Sequence, residues 1–165
     1  VMIVLVLSMG MQPIVGYNFG AQKIDRVKQT LKLGIVSGVV ITSSGFFICE
    51  LFPHAVSAIF TDSDHLIDLA VDGLRITVIM FPFVGAQIVI GNFFQSIGKA
   101  KISIFLSLTR QLLYLLPCLL LFPNWWGLKG IWISMPVSDA LAFITAVISL
   151  IIYIKKVSKQ HPIAE

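Results

Sequence analysis

Charge is scarce in this sequence. Only 12% of its 165 residues are Asp, Glu, Lys or Arg, against about 25% in a soluble domain. Hydrophobic residues make up 57%, and the mean hydropathy is +0.94. A soluble fold of this size must still cover its surface with polar groups, so a buried core alone does not absorb the excess. A bilayer removes that requirement. Cysteine is nearly absent: Cys49 and Cys118 each lie in an apolar run with no zinc or redox spacing, and read as small packing residues. His54, His65 and His161 are scattered and form no ligand set, so no metal site is expected. No nucleophile–base pair and no phosphate loop is present, and no enzymatic activity is expected. A charged leader and a small-residue cleavage site are also lacking. The chain opens on the apolar run Val1 to Leu7, as if inside a span, and further residues are expected before Val1.

What the sequence has is long apolar runs. Crossing about 30 Å of hydrocarbon takes ~20 apolar residues in a helix. Five runs qualify: span A over about 1–20, span B over 33–54, span C over 74–98, span D over 102–122 and span E over 130–154, with 155–165 as a tail. Backbone groups in lipid need partners within their own segment, so the runs are helices. The expected fold class is all-α, a polytopic membrane bundle of about five transmembrane helices.

The basic residues sit between these runs. Lys23, Arg26, Lys28 and Lys32 fall between A and B, Lys99 and Lys101 between C and D, and Lys155, Lys156 and Lys159 after E. The other connections are poor in Lys and Arg, with Arg75 before span C and Lys129 between D and E. The net charge of +4 therefore reads as a topology signal and not as a nucleic-acid surface. It puts the A–B loop, the C–D turn and the C-terminus in the cytoplasm. Trp125, Trp126 and Trp132 then flank an outer turn, as an aromatic belt does. Between B and C, Thr61 and Asp64 have capping-box spacing and Phe60 can act as a staple, which predicts a short amphipathic helix over about 62–72 at the outer interface.

Polar groups inside the spans are the functional candidates. Span A carries Gln12, Pro13, Tyr17 and Asn18; Pro13 should bend the helix and free a carbonyl near Met9. Span C places Gln87, Gly91 and Gln95 at four-residue steps, with Asn92 beside them. Two readings apply to both sets: the lining of a wet cavity, or hydrogen-bonded glue between helices. Arg110 in span D and Asp139 in span E each lie roughly 13 Å deep, from opposite sides, at 1.5 Å per residue. The D–E turn centres near Trp126, which sets Arg110 opposite about Ala142, one turn from Asp139. Both a static buried ion pair and a coupling or gating role at Asp139 fit that depth. Glu50, four residues from His54, can reach water from the end of span B. Gly34 and Gly38 form a GxxxG match, a weak signal in a membrane helix.

The run from Gly10 to Ala21, Gly-Met-Gln-Pro-Ile-Val-Gly-Tyr-Asn-Phe-Gly-Ala, resembles the eighth helix of multidrug and toxin extrusion (MATE) transporters. Phe93 to Ala100 is similar to the end of that family's tenth helix. Arg110-Gln111, Gly127 to Trp132 and Pro136 to Asp139 resemble its eleventh and twelfth. The resemblance covers essentially the whole chain. It implies a twelve-helix antiporter of two six-helix lobes in the cell inner (plasma) membrane, exporting drugs or organic cations in exchange for protons or sodium ions. It implies no other cofactor. This chain would be most of the C-terminal lobe, helices eight to twelve, and its missing N-terminal lobe would be a partner beside lipid and substrate. Some members place cation-binding acids in helices seven and ten, but span C has no acid from Gly73 to Gly98. Other members carry one in the first helix, so the resemblance implies coupling in the missing lobe. A truncated membrane protein without transport, and a lipid-linked oligosaccharide flippase of the same superfamily, are the alternatives.

Overall fold

A computed structural model describes residues 1–61 and 63–160. The elements are α1 (Met2–Gly20), α2 (Ile24–Leu51), α3 (Pro53–Ala58), α4 (Asp64–Val78), α5 (Phe81–Ser96), α6 (Ala100–Leu108), a π-helical segment (Thr109–Leu115) and α7 (Leu116–Gln160). No strand occurs among the described residues.

These elements make five passes. α1 and α2 are the first two. α4 and α5 form the third and meet at a 50° bend. Span C was expected as one helix from about 74; it is instead shared by two helices, α4 and α5, bent against each other between Val78 and Phe81. The break has a chemical cause. Pro82 stands in the first turn of α5 and lacks the N–H that Val78 O would need. The surface helix expected over 62–72 is the amphipathic start of α4. Its N-cap is Ser63, whose N–H donates to Thr61 Oγ1 at 3.3 Å, so Thr61 is not the cap and the expected capping box does not form. Asp62 lies outside the described residues.

The last two passes run from Ala100 through α7, an apolar stretch of 58 residues to Val157. A straight helix of that length would measure about 87 Å at 1.5 Å per residue. The chain instead reverses at Gly127, whose φ of 53° and ψ of −133° leave the helical region. Gly130 lies directly on the backbone of Phe122 and leaves no room for a side chain. Across the hairpin, Tyr114 and Thr145 share a hydroxyl hydrogen bond of 2.8 Å.

The A–B loop is shorter than expected. α2 begins at Ile24, so Arg26, Lys28 and Lys32 lie on its first turns and only residues 21–23 form the connection. Gln22 has a positive φ of 57°, and Lys23 N–H closes the turn on Asn18 O at 2.9 Å. α7 likewise continues to Gln160, so Lys155 and Lys156 are helical and residues 161–165 lie outside the described part. α1 is one continuous helix through Pro13.

α5 is the hub, in contact with α1, α2, α6 and α7. Its Val89, Ile90, Phe93 and Phe94 are buried, with Val4, Met11 and Val15 of α1 and Ala146 and Leu150 of α7 around them. α2 and α5 approach at glycines. The Val89 methyls sit 3.2 Å and 3.1 Å from where Cβ atoms on Gly34 and Gly38 would stand, and the backbones touch at Gly38 and Gly85. The GxxxG pair is thus a real interface. The outer surface is apolar: Val40, Phe47, Leu113, Leu120, Ile148 and Ile152 are all exposed. That inversion suits a bundle whose solvent is lipid.

Candidate functional site

The apolar outside makes the polar inside conspicuous. Gln87, Gly91, Asn92 and Gln95 share one face of α5, as their spacing predicts. They line an open cleft of about 410 Å³, faced by Ser103, Ser107, Arg110 and Gln111 from α6 and the π-helical segment, with Val1 and, from α1, Leu5 also in its lining. Asn92 connects the cleft to α1: Gln12 Nε2 donates to Asn92 Oδ1 at 3.0 Å, and Asn92 Nδ2 donates to Ile88 O at 3.1 Å. Gln87 Oε1 is shielded from solvent and has no hydrogen-bond partner among the described residues. A carbonyl oxygen so placed is an acceptor without a donor, and such groups are costly in an apolar bundle.

Arg110 belongs to the cleft wall and to the hairpin at once. Its Nε donates to Asp139 Oδ1 at 2.7 Å, a charge-assisted hydrogen bond. The Asp139 side chain is 10% exposed and that of Arg110 38%. The carboxylate therefore sits behind the guanidinium and neutralises the cleft's one cationic wall. Arg110 lies in the π-helical segment, where Leu116 N–H reaches back five residues to Gln111 O. π segments are rare and often accompany functional sites. Pro117 follows directly; it has no N–H for Leu113 O, and its ring crowds that carbonyl. A proline just beyond an intramembrane arginine was the available signal for this irregularity. Ser103, Ser107 and Gln111 also carried a signal, four-residue spacing on the face of Arg110.

The structure separates the remaining candidates from this cleft. Pro13 is exposed and Tyr17 is 74% exposed. Each stands two residues, about 200° of helix rotation, beyond Met11 and Val15 of the buried α1 stripe. Asn18 is half-buried and spends its Nδ2 on Ile14 O of its own helix at 2.8 Å. Only Gln12, a quarter turn from Met11, reaches α5. Trp125 and Trp126 are exposed as a belt requires, but Trp132 packs on Gly73 of α4. Glu50 faces Arg75 Nε at 3.8 Å, a loose exposed pair. Cys49 and Cys118 are free thiols, and among the described residues no three His, Cys, Asp or Glu side chains come together as a metal would require.

A family model described as MatE matches residues 1–120. The multidrug export protein MepA of Staphylococcus haemolyticus is 25% identical over 140 residues, which is 85% of this chain and 30% of the relative. The chain thus spans about a third of the length of such curated relatives. The solved structure of the MATE multidrug transporter DinF-BH superposes with a TM-score of 0.82 at 38% identity, covering 90% of this chain and 34% of that one. An outward-facing MATE family transporter of the MOP superfamily gives 0.88 at 19% identity, covering 94% and 36%, and an inward-facing one 0.87 at 19%, covering 96% and 38%.

Proposed function

Because the chain belongs to the MatE family, we propose that it is the larger part of one lobe of an antiporter that exports drugs or organic cations, driven by protons or sodium ions. The observation that carries this reading is the amide-lined cleft on α5. Apolar bundles keep polar side chains where water or a substrate passes. Gln87, Asn92 and Gln95 offer carbonyl oxygens to a cation without fixing a full charge there. That chemistry suits substrates that must bind and leave again. The exposed face of α1 with Pro13 and Tyr17 is then the wall turned toward the other lobe. The overlay on outward- and inward-facing relatives is equally good, which supports a lobe that rocks as one body.

We assign Arg110–Asp139 to architecture. The pair is short, the acid is covered, and losing either partner strands a charge. Coupling then falls to groups outside this chain. By the basic residues, the end of the bundle with residues 21–28 and Lys156 faces the cytoplasm.

Efflux of a fluorescent organic cation from cells lacking other pumps tests the reading, with the full-length protein expressed. Gln87→Leu and Asn92→Leu should raise the apparent KM several-fold at unchanged membrane abundance. Collapsing the proton and sodium gradients separately identifies the driving ion. Absence of gradient-dependent efflux for every cation tried, with the protein folded and in the membrane, would overturn it.

A further inference from the structure

At the opposite end of α5 from its bend lies a second, larger cleft of about 750 Å³. It opens where α1 ends, α2 begins, α5 turns into α6 and α7 approaches its end. Its apolar lining includes Phe19, Ile97, Ile102 and Ile152. Its polar groups are Gln22, Ser149, Tyr153 and two lysines, Lys99 and Lys156. No Asp or Glu lines it, and neither lysine has a carboxylate within 4.0 Å among the described residues.

The backbone adds to the same sign. Three of the last four carbonyls of α1 are already used: Tyr17, Phe19 and Asn18 accept from Ala21, Gln22 and Lys23. At the end of α5, Phe94 O accepts from Lys99 N–H at 2.8 Å. The N-termini of α2 and α6 beside them carry no side-chain cap; Asp25 stands in the first turn of α2, and α6 has no acid in its first turn. Two lysines and no lining carboxylate give this cleft a positive sign. It lies near the ends of the helices, and Ile152 on its rim is an apolar side chain 63% exposed.

We propose that this cleft binds the phosphodiester headgroup of an anionic glycerophospholipid, with Lys99 and Lys156 on the phosphate and the acyl chains running along the apolar surface beside Ile152. Charge complementarity chooses the headgroup, because zwitterionic lipids bring their own cation and gain little from two lysines. The apolar rim chooses a lipid over a free anion, which would leave that surface unused. Bound there, the lipid joins the α1–α2 turn, the α5–α6 turn and the end of α7, and so braces one end of the lobe.

The test compares the full-length protein in nanodiscs of phosphatidylcholine alone and of phosphatidylcholine with phosphatidylglycerol. Thermal melting and native mass spectrometry of retained lipid are the readouts. The wild type should melt higher with phosphatidylglycerol and retain it. Lys99→Gln with Lys156→Gln should lose the melting increment and at least tenfold of the retention, with melting in phosphatidylcholine unchanged. Lys129→Gln, at the Gly127 turn, should behave as wild type. Retention by the double variant, equal loss in Lys129→Gln, or the same stabilisation by millimolar inorganic phosphate in phosphatidylcholine would each overturn the proposal. If the double variant fails to fold, Lys156→Gln alone, on the exposed end of α7, should lose retention several-fold, and unchanged retention would overturn it.

Discussion

Arg110 Nε and Asp139 Oδ1, on opposite arms of the hairpin, stand 2.7 Å apart. The pair sits where the π-helical segment faces the last pass, and it shares that seam with the Tyr114–Thr145 hydrogen bond. Asp139 is covered while Arg110 is 38% exposed on the cleft, so stranding one charge costs less than the ~3–5 kcal/mol of a fully buried pair, and removing both costs less still. Asp139→Asn should therefore lower the melting temperature and abundance of the full transporter more than Arg110→Gln with Asp139→Asn together. A double variant as damaged as the two singles summed would show that the residues are not coupled. An Asp139→Asn variant with normal abundance but no pH-dependent efflux would make Asp139 a coupling residue instead.

The contact of Gly38 with Gly85 sets how closely α2 and α5 pack. A Cβ on Gly85 would lie 2.5 Å from Gly38 O, closer than real Cβ atoms approach any neighbour. Gly85→Ala should force the helices apart and cost about 1–3 kcal/mol. Gly45→Ala, with nothing within 4 Å, should be neutral or slightly stabilising. Melting in detergent distinguishes the two, and equal effects would remove the close approach from the account.

Trp132 lies across Gly73, with ring atoms 2.7 Å and 2.9 Å from where a Cβ would be. Gly73→Ala should displace the indole and loosen α4 from α7. In a background where Trp125, Trp126 and any tryptophan outside this sequence are Phe, Trp132 reports alone. Its emission should then shift and its quenching by aqueous iodide change in Gly73→Ala. Identical spectra would contradict the contact.

Two turns at the same end of the bundle close by the same bond, from an N–H back to a carbonyl five residues earlier. One uses Gly98 at φ 74° and the other Gln22 at φ 57°. Left-handed backbone costs a side-chain-bearing residue about 1 kcal/mol or more. Gln22→Gly should therefore raise stability by up to about 1 kcal/mol, and Gly98→Ala should lower it by a similar amount. Chemical or thermal unfolding of the purified protein checks both signs.

Much of the candidate site was legible because helix periodicity is local. Four-residue spacing alone puts Gln87, Gly91 and Gln95 on one face, and symmetric counting from Trp126 sets Arg110 near Asp139. The same counting did not separate Gln12 from Tyr17. Both are polar residues of one helix, and only the position of α5 decides that Gln12 meets Asn92 while Tyr17 faces outward. The π-helical segment was missed because Thr109 to Leu115 reads as ordinary apolar helix. Its cause, Pro117, acts on a carbonyl one turn earlier.

The sequence by itself determined that this chain is a set of apolar helices for a bilayer, because hydropathy and the absence of charge are summed over single residues and need no partner. It also placed the hairpin turn near Trp126, next to Gly127, where the backbone leaves the helical region. Only the tertiary structure decided that span C is broken between α4 and α5, that α2 begins at Ile24, and that Gly34 and Gly38 receive Val89. It also decided that two lysines 57 positions apart, Lys99 and Lys156, border one cleft. These are relations between helices, set by which faces come together, and no pattern along a single helix contains them.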